Sequence, residues 1–113
     1  MAGEPDRIGK QARETIAAGE EPILISAVVI WEVAIKRRLG KLAAPADLLS
    51  RLEQAQVELL PISARHADRV GTLPMHHQDP FDRLLVAQAD VDGLSLVSGD
   101  AAMRRYDEID VLW

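Results

Sequence analysis

Pro22-Ile23-Leu24-Ile25-Ser26-Ala27-Val28-Val29 is an apolar, β-branched run with no clean alternation of polar and apolar residues. A strand with one face in water alternates at period two. A strand covered on both faces, as in a parallel sheet, reads as a continuous apolar run instead. The run passes into a helical pattern from about Val28 to Leu39, ended by Gly40. Upstream, Asp6 to Ala18 carries Ile8, Ala12, Ile16 and Ala17 at helical spacing, with Gly19 as the stop. Downstream, helices are expected from Pro45 to about Gln54, from Ala64 to about Thr72 behind a Ser63 cap, and from Asp79 to about Gly93. A short helix follows at Ala101 to Arg105. Strands are expected at Gln56 to Ile62, Leu94 to Val97 and Val111 to Trp113. Strands alternating with helices, without repeats or low-complexity segments, predict an α/β fold with a mainly parallel sheet, in one domain spanning 1–113.

Composition narrows the function. Hydrophobic residues at 48% and charged residues at 27% are ordinary globular values. A net charge of -5 argues against a broad basic surface for nucleic acid, though not against a local contact made through a metal. The absence of cysteine removes disulfides, thiolate zinc sites and cysteine nucleophiles, and agrees with a cytoplasmic setting. The polar, acidic start does not read as a secretory signal, and no apolar run approaches the ~20 residues a bilayer span needs, so no membrane is expected.

The chemistry lies in the acids. In His76-His77-Gln78-Asp79-Pro80-Phe81-Asp82-Arg83, Asp79 is an N-cap and Pro80 the first helical residue. At 100° per residue, Leu85, Val86 and Ala89 fall within about 60° of Asp82, so its carboxylate shares the stripe this helix buries. That is costly unless the carboxylate is paired, hydrogen-bonded or metal-bound. Glu32 and Asp100 follow strands, at the sheet edge where α/β folds bind ligands. Each has a plainer reading: Glu32 as the i+4 partner of Lys36, Asp100 as a turn or cap residue. Taken together, Glu32, Asp82 and Asp100 make an oxygen-rich set suited to Mg²⁺ or Mn²⁺, ions that serve phosphoryl chemistry. Spacing alone leaves nuclease and phosphatase both open.

The remaining polar residues read more plainly. His76 and His77 are adjacent, so their side chains should diverge, and His66 reads as a surface or boundary residue. Arg83 is assigned a salt bridge with Asp82, with a substrate phosphate contact as the alternative. The Lys36-Arg37-Arg38 run with Lys41 reads as a solvated face, with a local nucleic-acid contact as the alternative.

Four stretches, in order, resemble a known family: Ser26 to Lys36 with Leu39-Gly40-Lys41-Leu42, Leu73 to Ala89, Gly93 to Asp100, and Val111-Leu112-Trp113. Together they are similar to a PIN-domain protein of the VapC toxin type. The resemblance implies a three-layer fold with helices flanking the sheet, and a Mg²⁺- or Mn²⁺-dependent endoribonuclease acting as the toxin of a toxin–antitoxin pair. It maps the catalytic and metal-binding acids onto Glu32, Asp82 and Asp100, with Asp79 as a further metal ligand. It also implies an RNA substrate and a VapB-type antitoxin that presents a basic side chain to the acids.

One departure has consequences. Family members open with an apolar strand of the form Leu-Leu-Leu-Asp-Thr-His, central in the sheet and carrying the first catalytic Asp. Met1-Ala2-Gly3-Glu4-Pro5 has no such pattern, so the first, central strand is expected to be missing. The chain is then expected to be poorly stable alone, or to recover burial by dimerisation, strand exchange or closing of the gap, and a homodimer is the expected assembly. The competing function is a catalytically impaired PIN remnant that only binds a partner. A receiver-like binding module fits the composition but not the Trp31-Glu32 and Asp79–Arg83 motifs.

Overall fold

The computed structural model describes residues 9–19 and 23–113. Nine elements of regular structure and one 3₁₀ turn follow one another among them. They are α1 (Lys10–Ala18), β1 (Leu24–Ser26), α2 (Ala27–Arg38), α3 (Leu48–Gln54), β2 (Glu58–Leu60), α4 (Ala64–Val70), α5 (Pro80–Asp92), β3 (Leu96–Val97), the 3₁₀ turn Ala101–Arg105 and β4 (Val111–Leu112). The α/β alternation expected from the sequence is present and the strand pairing is parallel.

Two features differ from the sequence reading. The β1 strand ends at Ser26 instead of Val29, because the Ser26 hydroxyl accepts the Val28 N–H and caps α2. A serine inside an apolar run is a helix start here, and this local bond overrides the β propensity of Val28 and Val29. Second, the described strands form two separate parallel pairs, β1 with β2 and β3 with β4, in place of one continuous sheet. Leu24, Ile25 and Ser26 face Glu58, Leu59 and Leu60 in register, and Leu96 and Val97 face Val111 and Leu112. The expectation about Met1–Pro5 lies outside the described residues, as does the Asp6 start of the first helix.

Helix α5 organises the molecule, packing against α4, α2 and β3. Its start is the Asp79 cap, whose side chain accepts the Phe81 N–H, with Pro80 in the first turn. Its end is Gly93 in the left-handed region at φ 67, a conformation that glycine adopts without a Cβ clash. From α5, Val86 and Ala87 meet Leu73, Met103 and Tyr106 in the buried core, flanked by Val70, Leu85, Leu96, Ile109 and Val111.

Among the described residues, every buried side-chain polar atom has a partner. The Ser26 hydroxyl donates to Gln88 Oε1, and Gln88 Nε2 donates to the Pro61 carbonyl, so one buried amide joins the ends of β1 and β2 to α5. His66, expected near the surface, is 3% exposed. Its Nδ1 accepts the Ser63 N–H while the Ser63 hydroxyl accepts the His66 N–H, a reciprocal cap in which histidine takes the place usually held by Glu or Gln. At the other end of the chain, the Trp113 carbonyl accepts the Gln11 and Ala12 N–H groups, docking the C-terminal residue on the first turn of α1.

Candidate metal centre

The loop from Gly71 to Asp79 leads into α5, and Arg83 holds it in shape. The Arg83 side chain is buried, at 8% exposure. Its Nη2 donates to the Val70 carbonyl at 2.7 Å, and its Nη1 donates to the Pro74 carbonyl at 2.9 Å. The same Nη1 lies 3.5 Å from the His77 carbonyl and 3.4 Å from the Tyr106 hydroxyl. This corrects both sequence readings of Arg83. It forms no ion pair with Asp82 and offers nothing to a substrate phosphate, because its donors are aimed inward at carbonyls. Adjacent helical residues point about 100° apart, and that divergence separates the two charges.

On this loop the two histidines diverge as expected. The His76 ring meets Tyr106 edge-on at 4.9 Å, while the His77 ring turns to the acids. His77 is fixed on three sides. Its N–H donates to the Tyr106 hydroxyl at 3.2 Å, its Nδ1 accepts the Asp79 N–H at 3.0 Å, and its carbonyl faces Arg83. Its Nε2 lies 3.1 Å from Asp82 Oδ2 and 2.9 Å from Asp100 Oδ2. One ligating atom from each of His77, Asp82 and Asp100 lies within 4.8 Å of the others.

Asp82 comes from the first turn of α5 and Asp100 from the turn just past β3. Asp100 Oδ1 caps the 3₁₀ turn by accepting the Ala102 N–H, which leaves Oδ2 to face His77. That cap, with the His77 bond next, holds the Asp100 carboxyl below its ordinary value. The Asp82 carboxyl is pushed above its ordinary value, first by burial and next by the nearby Asp79 charge. His77 opposes the rise, while Glu32 and Asp100 add to it.

Glu32 stands outside the close group. Its carboxylate pairs with Lys36 at 2.8 Å, the i+4 contact anticipated as its plainer role. Trp31 packs edge-on against Phe81 at 4.7 Å, joining α2 to the start of α5 beside Asp82. Glu32 thus acts on Asp82 through its charge. The Lys36 ammonium is raised above its ordinary value by Glu32 first and, less strongly, by Asp79 and Asp82, so Lys36 balances part of the acidic charge. Asp79 serves as the α5 cap through Oδ1.

The sequence reading gave His77 no part in this cluster. A signal for it was present: a histidine two residues before a helix cap can accept the cap residue's N–H, which orients the ring toward the first turn.

The sequence matches the PIN domain over residues 2–109. The chain belongs to the PIN-domain family. Among solved structures, its fold is similar to that of VapBC2 from Rickettsia felis bound to a DNA fragment from their promoter. The match has a TM-score of 0.65 at 18% identity and covers 88% of this chain and 80% of that one. No curated protein matches the chain in sequence. The shared fold agrees with the family match. Among the described residues, no helix is long and apolar enough to cross a membrane.

Proposed function

We propose that this PIN domain is a metal-dependent endoribonuclease, the toxin of a VapBC-type pair that acts in the cytoplasm. PIN domains are in general nucleases that use divalent metals. The observation that carries the reading is the convergence of Asp82 and Asp100, from two different elements, on one partly exposed point. The donor set fits a hard divalent cation, since two carboxylates meet there without any thiolate.

Asp82 and Asp100 would hold Mg²⁺ or Mn²⁺, with Glu32 and Asp79 contributing negative charge from the next rank. When bound, such an ion supplies an activated water and charge stabilisation for phosphodiester hydrolysis. The chain's own part is positional. The α5 start fixes Asp82, the cap at Ala102 fixes Asp100, and Lys36 offers a cation beside the site for a backbone phosphate. An antitoxin with an arginine would meet the same acids, as the net charge of -5 favours.

The test is cleavage of single-stranded RNA with Mg²⁺ or Mn²⁺, its loss in EDTA and its loss in Asp82→Asn. Cleavage that survives either treatment undiminished overturns the assignment. A second reading, a partner-binding remnant without catalysis, draws support from the division of the strands into two pairs and the engagement of Glu32 by Lys36. In that case the chain binds an antitoxin but neither Mn²⁺ nor RNA.

A further inference from the structure

The tautomer of His77 is decided by its surroundings. Nδ1 accepts the Asp79 N–H at 3.0 Å, so its lone pair is engaged and it carries no proton. In the neutral ring the proton is then on Nε2, which faces Asp82 Oδ2 and Asp100 Oδ2 at 3.1 and 2.9 Å. To coordinate a cation through Nε2, the ring would have to move its proton to Nδ1. Two donors, Nδ1–H and the Asp79 N–H, would then confront each other 3.0 Å apart at the cap of α5. The backbone at His77 resists any escape, because the Tyr106 hydroxyl takes its N–H and the buried Arg83 faces its carbonyl.

We infer that His77 is a positioning residue and a placeholder, not a metal ligand: its Nε2–H bonds Asp100 Oδ2 and lies 3.1 Å from Asp82 Oδ2, the oxygens a divalent cation would take. The imidazole spaces the two carboxylates and orients them, and it competes with the cation for them. Entry of the ion requires the Nε2–H bond to Asp100 to yield while the Nδ1 bond to Asp79 persists. This inference rests on the reading of Asp82 and Asp100 as the metal carboxylates, and goes beyond it in separating the role of the third member of the group.

Three measurements on the full chain test it. Mn²⁺ binding, followed by the EPR signal of the free ion, should tighten in His77→Ala by roughly three- to tenfold, part of the worth of one charge-assisted hydrogen bond. His77→Gln keeps an N–H donor and should return the affinity toward that of the wild type, a rescue that simple loss of packing would not produce. Nitrogen-15 NMR of the His77 ring should show the proton on Nε2 both before and after addition of Mg²⁺.

A weakening of Mn²⁺ binding in His77→Ala by about 10-fold or more, the size expected for losing a ligand or its supporting partner, overturns the inference. So does a proton that moves to Nδ1 when Mg²⁺ is added. Binding that appears only in His77→Ala supports it, and binding in neither protein overturns both readings. If instead wild-type Mn²⁺ affinity is unmoved by Asp82→Asn and Asp100→Asn, the assignment of the acids fails, and the placeholder role falls with it.

Discussion

Two histidines in this molecule are held in nearly the same way and have opposite consequences. At the far end of α5, His66 accepts the Ser63 N–H on Nδ1 and meets Asp92 at 2.9 Å through Nε2. At the near end, His77 accepts the Asp79 N–H on Nδ1 and meets Asp82 and Asp100 through Nε2. The His66 side chain is 4% exposed and has one carboxylate for its one Nε2 proton, so the pair is complete. The His77 side chain is 19% exposed and has two carboxylates for one proton, so negative charge is left over at a point that solvent reaches. A histidine–aspartate contact is thus a structural tie when donors and acceptors balance. It marks a site when acceptors are in excess.

The comparison predicts different losses at the two ends. At the His77 end, Asp82→Asn and Asp100→Asn should each lower RNA cleavage by roughly 100- to 1000-fold, the scale for removing one group that stabilises transition-state charge. At the His66 end, Asp92→Asn should leave cleavage near the wild-type rate. Equal losses at both ends would break the distinction.

Stability should follow burial instead, at whichever end the residue stands. Arg83→Met leaves the Val70 and Pro74 carbonyls without their donor and should cost about 3 kcal/mol in urea unfolding, carrying the His77 loop with it. His66→Ala removes the buried cap and the tie to Asp92, and should cost about 2 kcal/mol. His77→Ala should cost less than His66→Ala, since its ring is more exposed.

The pH dependence sharpens the contrast further. The folded Asp82 carboxyl is raised above its ordinary value of 3.8 by burial first, so the folded state binds this proton more tightly than the unfolded chain does. Ionising Asp82 therefore works against folding above the raised value, and that cost vanishes as pH falls through it toward 3.8. Asp82→Asn should then melt at or above the wild-type temperature at pH 7, with the difference closing near pH 4. Asp100 is lowered, so its contribution is present above 3.8 and is lost as pH falls through its folded value. It is exposed, and Asp100→Asn should shift the melt little. The smallest effect is expected for Lys36→Met, within the scatter of a thermal melt, because an exposed i+4 pair is well solvated.

The ends of the elements were legible in the sequence wherever a local bond decides them. Asp79 with Pro80 starts α5, Ser63 caps α4, and Gly19 and Gly93 stop α1 and α5 in the left-handed region. These are contacts within a few residues, written in the order of the chain. Ser26 obeys the same rule, but the apolar run around it masked the cap. The inward stripe of α5 was legible too, because a helical wheel gives direction. It does not give distance, so it could place Asp82 on the core side without showing that Asp100 lies close by and Glu32 does not.

The sequence by itself determined the α/β class, the parallel pairing implied by strands without alternation, and the acids from which a metal site can be drawn. Each follows from periodicity, from capping chemistry or from the kinds of side chain present. Only the tertiary structure decided that Arg83 faces carbonyls and not Asp82, that His66 is buried, and that His77 stands between Asp82 and Asp100. These depend on partners that the chain brings together from 13, 26 and 23 residues away. The side chains are common to many environments. Packing selects the one in which, among the described residues, every buried side-chain polar atom has a partner.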